Sequence, residues 1–287
     1  MKKGIILAGG HGSRLGPLTR VLSKQLLPVY DKPLIFYPLS TLIELGIRDI
    51  LIITKSEFLK QFSELIGDGS NYGVKIAYKI QNEPNGIAEA FLIGEKFINN
   101  NPITLVLGDN IFYGINFSNF KKIAQKKNFG SIICSYSVDN PERYGVIKIT
   151  NKKIIKIEEK PKKFLSNLAI TGLYLFDNNV VNFAKSIQPS KRGELEIVDL
   201  IKKYKNINKL HYVNLGPGSA WLDAGSPDSL LQASQLIQTI QKRQKYPIGS
   251  PELTSLKEKI IKKKFLLKQI NSLPTSSYKN LLLNTLK

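Results

Sequence analysis

Over roughly the first half of the chain, short apolar runs alternate with segments in which apolar residues recur every three to four positions. Lys3 to Ala8, Asp49 to Thr54, Val74 to Ile80, Ile103 to Leu107 and Ser131 to Val138 read as buried strands. Leu34 to Leu45, Glu57 to Ile66, Ile87 to Ile98 and Phe117 to Lys127 carry the helical period. This alternation predicts an α/β fold, a mostly parallel central sheet flanked by helices. Gly46 and Gly67 follow two of the helical segments, where a C-cap favours a residue at ease with positive φ.

Beyond about residue 140 the pattern loosens. GVIKIT and KKIIKIEE read as two strands joined by a turn at Asn151-Lys152, and ITGLYLF as a third. Helices are predicted at Asn178 to Ser186 and Glu194 to Lys203, then a strand around His211 to Leu215 and a loop, GPGSAWLDAGSPDS. Asp228 to Gln244 places Leu230, Ala233, Ile237 and Ile240 on one helical face, and the Lys-rich tail from Pro247 reads as helical. The expected organisation is one domain over 1–245, its nucleotide-binding part about 1–110 and its sugar-binding part about 111–225, with a helical tail over 246–287.

Composition narrows the class. With 287 residues and 42% hydrophobic content the chain can bury a sizeable core. MKKGIILAGG is too short in its apolar part for a signal peptide, and no segment reaches the roughly 20 uninterrupted apolar residues that span a bilayer. The single cysteine, Cys134, needs no oxidising compartment, so a soluble cytoplasmic protein is expected. The net charge of +20 attracts phosphate-bearing partners, but only six of the 42 basic residues are Arg and no aromatic platform is spaced for bases. A nucleic-acid partner is not expected.

The first candidate chemistry lies in GIILAGGHGSRLGPLTR. A buried strand feeds a loop with glycines at 9, 10, 12 and 16, where bare backbone N–H groups can approach a polyphosphate. Two common phosphate motifs fail: no G-x-x-x-x-G-K-[ST] is present, and Leu15 stands where a dinucleotide fold has its third glycine. Arg14 offers a planar fork to phosphate oxygens, and Lys24 a point charge. Asp109 closes the strand ITLVLGD, where ligands collect in open α/β sheets; it and Asp223 read equally as turn-formers or helix caps.

LAGGHGSRLGPLTR and SKQLLPVYDKPLIFYPL, followed in order by LVLGDNIFYG, NPERYGV, EEKPK, ITGLYLFD, RGELEI and AWLDAG, resemble the sugar-nucleotide pyrophosphorylases and, more narrowly, the glucose-1-phosphate thymidylyltransferases. The resemblance spans residue 3 to about 250. It implies a Rossmann-like nucleotidyltransferase fold and a reaction in which dTTP and α-D-glucose 1-phosphate give dTDP-glucose and pyrophosphate, the first step of dTDP-L-rhamnose synthesis. Gly9, Gly10, Gly12, Ser13, Arg14, Gln25, Gln81, Gly86 and Asp109 would hold the nucleotide. Tyr144, Gly145, Glu159, Lys160, Thr171, Tyr174 and Trp221 would hold the sugar phosphate, although Tyr174 and Trp221 read equally as core aromatics. Asp109 and Asp223 would share Mg²⁺, the expected cofactor. EPNGIAEA departs from the family's usual PDGLAQA at several positions, Ile87 and Glu89 among them.

Such a transfer needs charge neutralisation more than a protein nucleophile, because the attacking phosphate oxygen is already anionic. Arg14, Lys24, Asp109 and Lys160 are therefore the expected catalytic residues, and His11, His211 and Cys134 are not needed. The resemblance also implies a homotetramer with dTDP-rhamnose as feedback inhibitor. The alternatives are a pyrophosphorylase using UTP or another sugar 1-phosphate, and a non-catalytic nucleotide-sugar-binding regulator or basic nucleic-acid-binding protein.

Overall fold

A computed structural model describes residues 3–287. The strands are β1 Lys3–Ala8, β2 Pro28–Val29, β3 Lys32–Pro33, β4 Asp49–Thr54, β5 Lys75–Ile80, β6 Ile103–Leu107, β7 Asn110–Tyr113, β8 Ser131–Ser137, β9 Gly145–Thr150, β10 Lys153–Glu159, β11 Leu168–Phe176, β12 Leu210–Asn214 and β13 Ala220–Asp223. Nine of them form one sheet in the order β10-β9-β11-β6-β1-β4-β5, with β8 joined to β11 and to β12.

β1 pairs in parallel with both β4 and β6, and β4 with β5. β1, β4 and β6 are covered on both faces, which is why they read as continuous apolar runs: Ile5, Ile6, Ile52, Ile53, Leu105 and Val106 are fully buried, whereas the edge strand β5 leaves Lys75, Lys79 and Ile80 exposed. At about 2 kcal/mol per buried aliphatic side chain, this layer supplies a large part of the driving force for folding. β11 enters antiparallel between β6 and β8 and turns the far half of the sheet into a mixed one. The loops leaving the C-terminal ends of β1 and β6 are thereby neighbours at the edge of the sheet where crevices form.

The helices follow the sequence with local adjustments. The segment predicted over Ile87 to Ile98 divides into Glu89–Ile93 and Glu95–Ile98 at Gly94, where a Cβ would lie 2.9 Å from the Ala90 carbonyl oxygen and 3.2 Å from Ile5. The break lets this segment sit close on β1. Asn151 and Lys152, at φ 49° and 60°, form the predicted two-residue turn between β9 and β10. The helix Pro227–Gln244 starts in a capping box between Ser226 and Ser229, and buries Ala233 and Ile237 in a third core with Ile111 and Ala224.

The loop predicted over GPGSAWLDAGSPDS contains β13, which pairs antiparallel with β7 so that Asp223 faces Asn110. Glycines and Pro217 around only four strand residues mask this pairing in the sequence. The tail folds into helices Pro251–Lys257, Lys263–Ser272 and Ser277–Thr285 with a small core of their own. It is fastened by Lys32, whose buried ammonium meets Asp31 at 2.5 Å and Gln241 Oε1 at 3.0 Å, 5.3 Å from the Tyr278 ring. Among the described residues no helix is long and apolar enough to cross a membrane.

Candidate active site

The loop after β1 is shaped by its glycines. Gly12, at φ +64°, is stitched to the following 3-10 turn Ser13–Thr19 when Thr19 Oγ1 donates to the Gly12 carbonyl at 2.9 Å. A Cβ on Gly9 would lie 2.4 Å from Gln81 Oε1, whereas Gly10 is exposed and faces open space. Arg14 reaches from this loop to the end of β13: its Nη2 lies 2.6 Å from where a Gly225 Cβ would stand, and Asp223 Oδ1 lies 3.1 Å from the same point. The guanidinium thus rests over Gly225 beside the Asp223 carboxylate.

Lys24 forms an ion pair with Asp109 in which both side chains are largely buried. Burial pushes the Asp109 carboxyl up, but Lys24 and a 2.8 Å hydrogen bond from Asn110 Nδ2 together outweigh it and hold the group below the usual carboxylate range. Asp223 arrives by the β7–β13 pairing, and its neighbour Ala224 donates its N–H to the Asp109 carbonyl at 3.1 Å. Burial, then the Asp109 charge, push the Asp223 carboxyl up to about 6. Two carboxylates and two cations from four separate segments therefore meet at one point.

Two cavities open on that point. The first, roughly 330 Å³, is walled by Gly10, Lys24, Gln25, Gln81, Gly86 and Leu107. The second, roughly 230 Å³, is walled by Tyr144, Gly145, Glu159, Lys160, Tyr174 and Trp221. Arg14, Ile87, Leu107, Asp109 and Glu194 line both. The two hollows are halves of one cleft with the acidic and cationic residues at the join.

The nucleotidyl transferase family matches residues 3–240. The chain belongs to this family. It is 52% identical over 251 residues to a glucose-1-phosphate thymidylyltransferase of Neisseria meningitidis serogroup A, covering 87% of each chain, and 47% identical over 283 residues to that of Neisseria gonorrhoeae, covering 98% of each. Its fold matches a Bacillus anthracis structure provisionally assigned as a glucose-1-phosphate thymidylyltransferase, solved with a sucrose, at TM-score 0.77 and 42% identity over 82% of this chain and 95% of that one. A UDP-glucose pyrophosphorylase complexed with UDP-glucose superposes at TM-score 0.72 with 24% identity, covering 84% and 99%.

Within this nucleotidyl transferase the second cavity is built from β9, β10 and β11. A Cβ on Gly145 would stand 3.1 Å from Glu159 Oε2 and 2.9 Å from Val198, so glycine is what lets the Glu159 carboxylate face the hollow. Burial, then Glu196, raise the Glu159 carboxyl above its ordinary value. Lys160, at φ +43°, turns the chain at the end of β10 and holds its N–H on the Tyr144 carbonyl, leaving its ammonium 3.9 Å from Glu159. Trp221 lines the cavity with its ring only, because its Nε1–H is given to Asn110 Oδ1 at 2.6 Å and its edge packs on Tyr144. Tyr174 is buried and stacked on Phe176, yet reaches the wall.

Thr171, expected on the sugar, is not part of this wall. Along β11, Ile170, Gly172 and Tyr174 face the cavity, and strand alternation turns Thr171 to the opposite side, fully buried. Of the expected nucleotide residues, Ser13 is exposed and, with Gly9 and Gly12, lies outside both cavity walls; the two glycines shape the loop behind it. His11 is exposed beside Lys55 and Glu83, His211 lines a separate depression, and burial pushes the Cys134 thiol up.

The structure adds residues that spacing did not single out. Arg192 grips Glu196 through Nη2 at 2.8 and 2.9 Å and stands 3.6 Å from Glu159 and 3.5 Å from Glu194. Arg143 also lines the sugar-side cavity. Asn110 accepts from both the Gly172 N–H and Trp221 and so fixes the floor. RGELEI and NPERYGV carry these residues, but nothing in their spacing says that two arginines converge on one hollow.

Proposed function

We propose that the protein transfers the dTMP group of dTTP to α-D-glucose 1-phosphate, giving dTDP-α-D-glucose and pyrophosphate, the first step of dTDP-L-rhamnose synthesis. The observation that carries this reading is the shared wall: Arg14 and Asp109 border both the cavity beside Gln81 and the cavity beside Glu159, so a triphosphate in one and a sugar phosphate in the other meet at the same residues.

The donor set suits magnesium. Asp109 and Asp223 are two adjacent carboxylates with no third metal-binding partner among the described residues, and magnesium commonly takes one or two carboxylates plus substrate phosphates. Bound there, the ion would supply charge neutralisation for the triphosphate. The protein's part is orientation and electrostatics. Lys160 holds the sugar phosphate, one of whose oxygens attacks the α-phosphorus of dTTP. A new P–O bond forms as the bond from the α-phosphorus to its bridging oxygen breaks, and pyrophosphate leaves with that electron pair toward Arg14. Lys24 compensates the charge that grows on the α-phosphate oxygens. No proton has to move, which is consistent with a cleft that contains no histidine.

The reading extends to a cytoplasmic homotetramer inhibited by dTDP-rhamnose, which sedimentation with and without that ligand tests. Uracil carries the same imide as thymine, so UTP is the substrate to run beside dTTP. Pyrophosphate release from dTTP that requires both glucose 1-phosphate and Mg²⁺ is the expected result. No release, or release with UTP alone, would overturn the assignment.

A further inference from the structure

At the base end of the nucleotide-side cavity, three polar side chains form one hydrogen-bonded chain. Gln81, almost fully buried, donates from Nε2 to Glu89 Oε2 at 2.6 Å and to the Gly86 carbonyl at 3.4 Å. Asn85 donates from Nδ2 to the other Glu89 oxygen at 2.9 Å. A carboxylate offers only lone pairs, so the amide atom that meets Glu89 has to be the nitrogen of Gln81. The Gln81 oxygen is thereby left beside Gly9, where a Cβ would come within 2.4 Å of it, and Gln81 itself lines the cavity.

We propose that Glu89 is a positioning residue that fixes the polarity of the Gln81 amide, and through it a preference for a base that presents an N–H at that place, thymine or uracil, over one that presents a lone pair, cytosine. This rests on the proposed use of the cavity for a nucleotide base. With a glutamine at 89 beside Asn85, three amides in a row run equally well in either direction, and only the long 3.4 Å contact to the Gly86 carbonyl is left to set which atom of Gln81 faces the base. The relay can also be built with the two groups exchanged, an acid at position 85 and an amide at position 89. Either arrangement puts one acceptor-only group in the relay, and one suffices to orient it.

The test measures dTTP and dCTP binding by calorimetry, with Mg²⁺, for the wild-type protein, Glu89→Gln and the double variant Asn85→Asp, Glu89→Gln, alongside turnover of dTTP with glucose 1-phosphate. The preference for dTTP over dCTP should fall about tenfold in Glu89→Gln, with the loss in turnover carried by KM for dTTP, and should return in the double variant. An unchanged preference in Glu89→Gln, or no recovery in the double variant, overturns the positioning role. Intact preference and recovery without wild-type turnover would remove the proposed reaction while supporting the role of Glu89. Failure of the wild type to favour dTTP over dCTP overturns the proposal.

Discussion

Lys24 and Asp109 form an ion pair that ties the loop after β1 to the C-terminal end of β6. Lys24 opens the 3-10 turn Lys24–Leu26 and Asp109 follows the end of β6, and the parallel pairing of β1 with β6 makes the two segments neighbours. Asp109→Asn keeps the shape and removes the charge that, on the proposed reaction, faces a triphosphate-bound cation. Pyrophosphate release should fall by on the order of a hundredfold or more, with the circular dichroism spectrum retained. Near-normal turnover in the purified variant would take Asp109 out of the metal site.

On the proposed reaction Arg14 meets pyrophosphate in both directions. Arg14→Ala should lose on the order of a hundredfold in synthesis and in pyrophosphorolysis alike. Kinetics unchanged in both directions would exclude it from the mechanism.

Gly145 leaves the space into which Glu159 turns. A methyl group there displaces the carboxylate or Val198, so Gly145→Ala should raise KM for glucose 1-phosphate by about ten- to a hundredfold while dTTP affinity stays near the wild-type value. Equal losses for both substrates would mean that the substitution disturbs the whole cleft.

The raised Glu159 carboxyl sets a pH dependence of stability. The folded protein keeps this proton after the unfolded chain has released it near the ordinary 4.5, so the group's stabilising contribution is full below that pH and is lost as pH rises through the native value. Glu159→Gln removes this slope. The urea midpoint of the variant should gain on that of the wild type as pH is raised from 4 to 8, and a constant difference would show that Glu159 titrates alike in both states.

Gln241 closes the fastening of the C-terminal helices: its Oε1 accepts from Lys32 and from the Ile248 N–H at 2.8 Å, and its Nε2 donates to Asp31 at 2.8 Å. Gln241→Ala leaves the buried Ile248 N–H without its acceptor and takes one hydrogen bond each from Lys32 and Asp31, which keep their own ion pair. Urea unfolding should report a loss of about 2–3 kcal/mol. A change within 0.5 kcal/mol or so, as at an ordinary surface site, would show that water takes over these bonds.

The sequence reveals the parallel core well because strands buried on both faces have to be apolar throughout; β1, β4 and β6 fall within their predicted bounds. It reveals the cleft less well. Asp109 is legible as the end of an apolar strand, but Asp223 reaches it only through a four-residue pairing set among glycines, and only the family resemblance joins the two. Thr171 falls outside the cavity wall because a motif gives neighbours along the chain, whereas a strand sends alternate residues to opposite faces. Arg192 goes unnoticed because its role depends on three carboxylates brought to it from β10 and from the segment before the helix Ile197–Asn206.

The antiparallel match of β13 to β7 also limits how this enzyme can change. Sliding one strand past the other by a single residue would turn Asp223 away from Asp109 and take Ala224 off the Asp109 carbonyl. The chain between Tyr113 and Ala220 returns to the same hydrogen-bond ladder, so loops between its strands can lengthen without moving the acidic pair, whereas one residue gained or lost inside either four-residue strand would separate it.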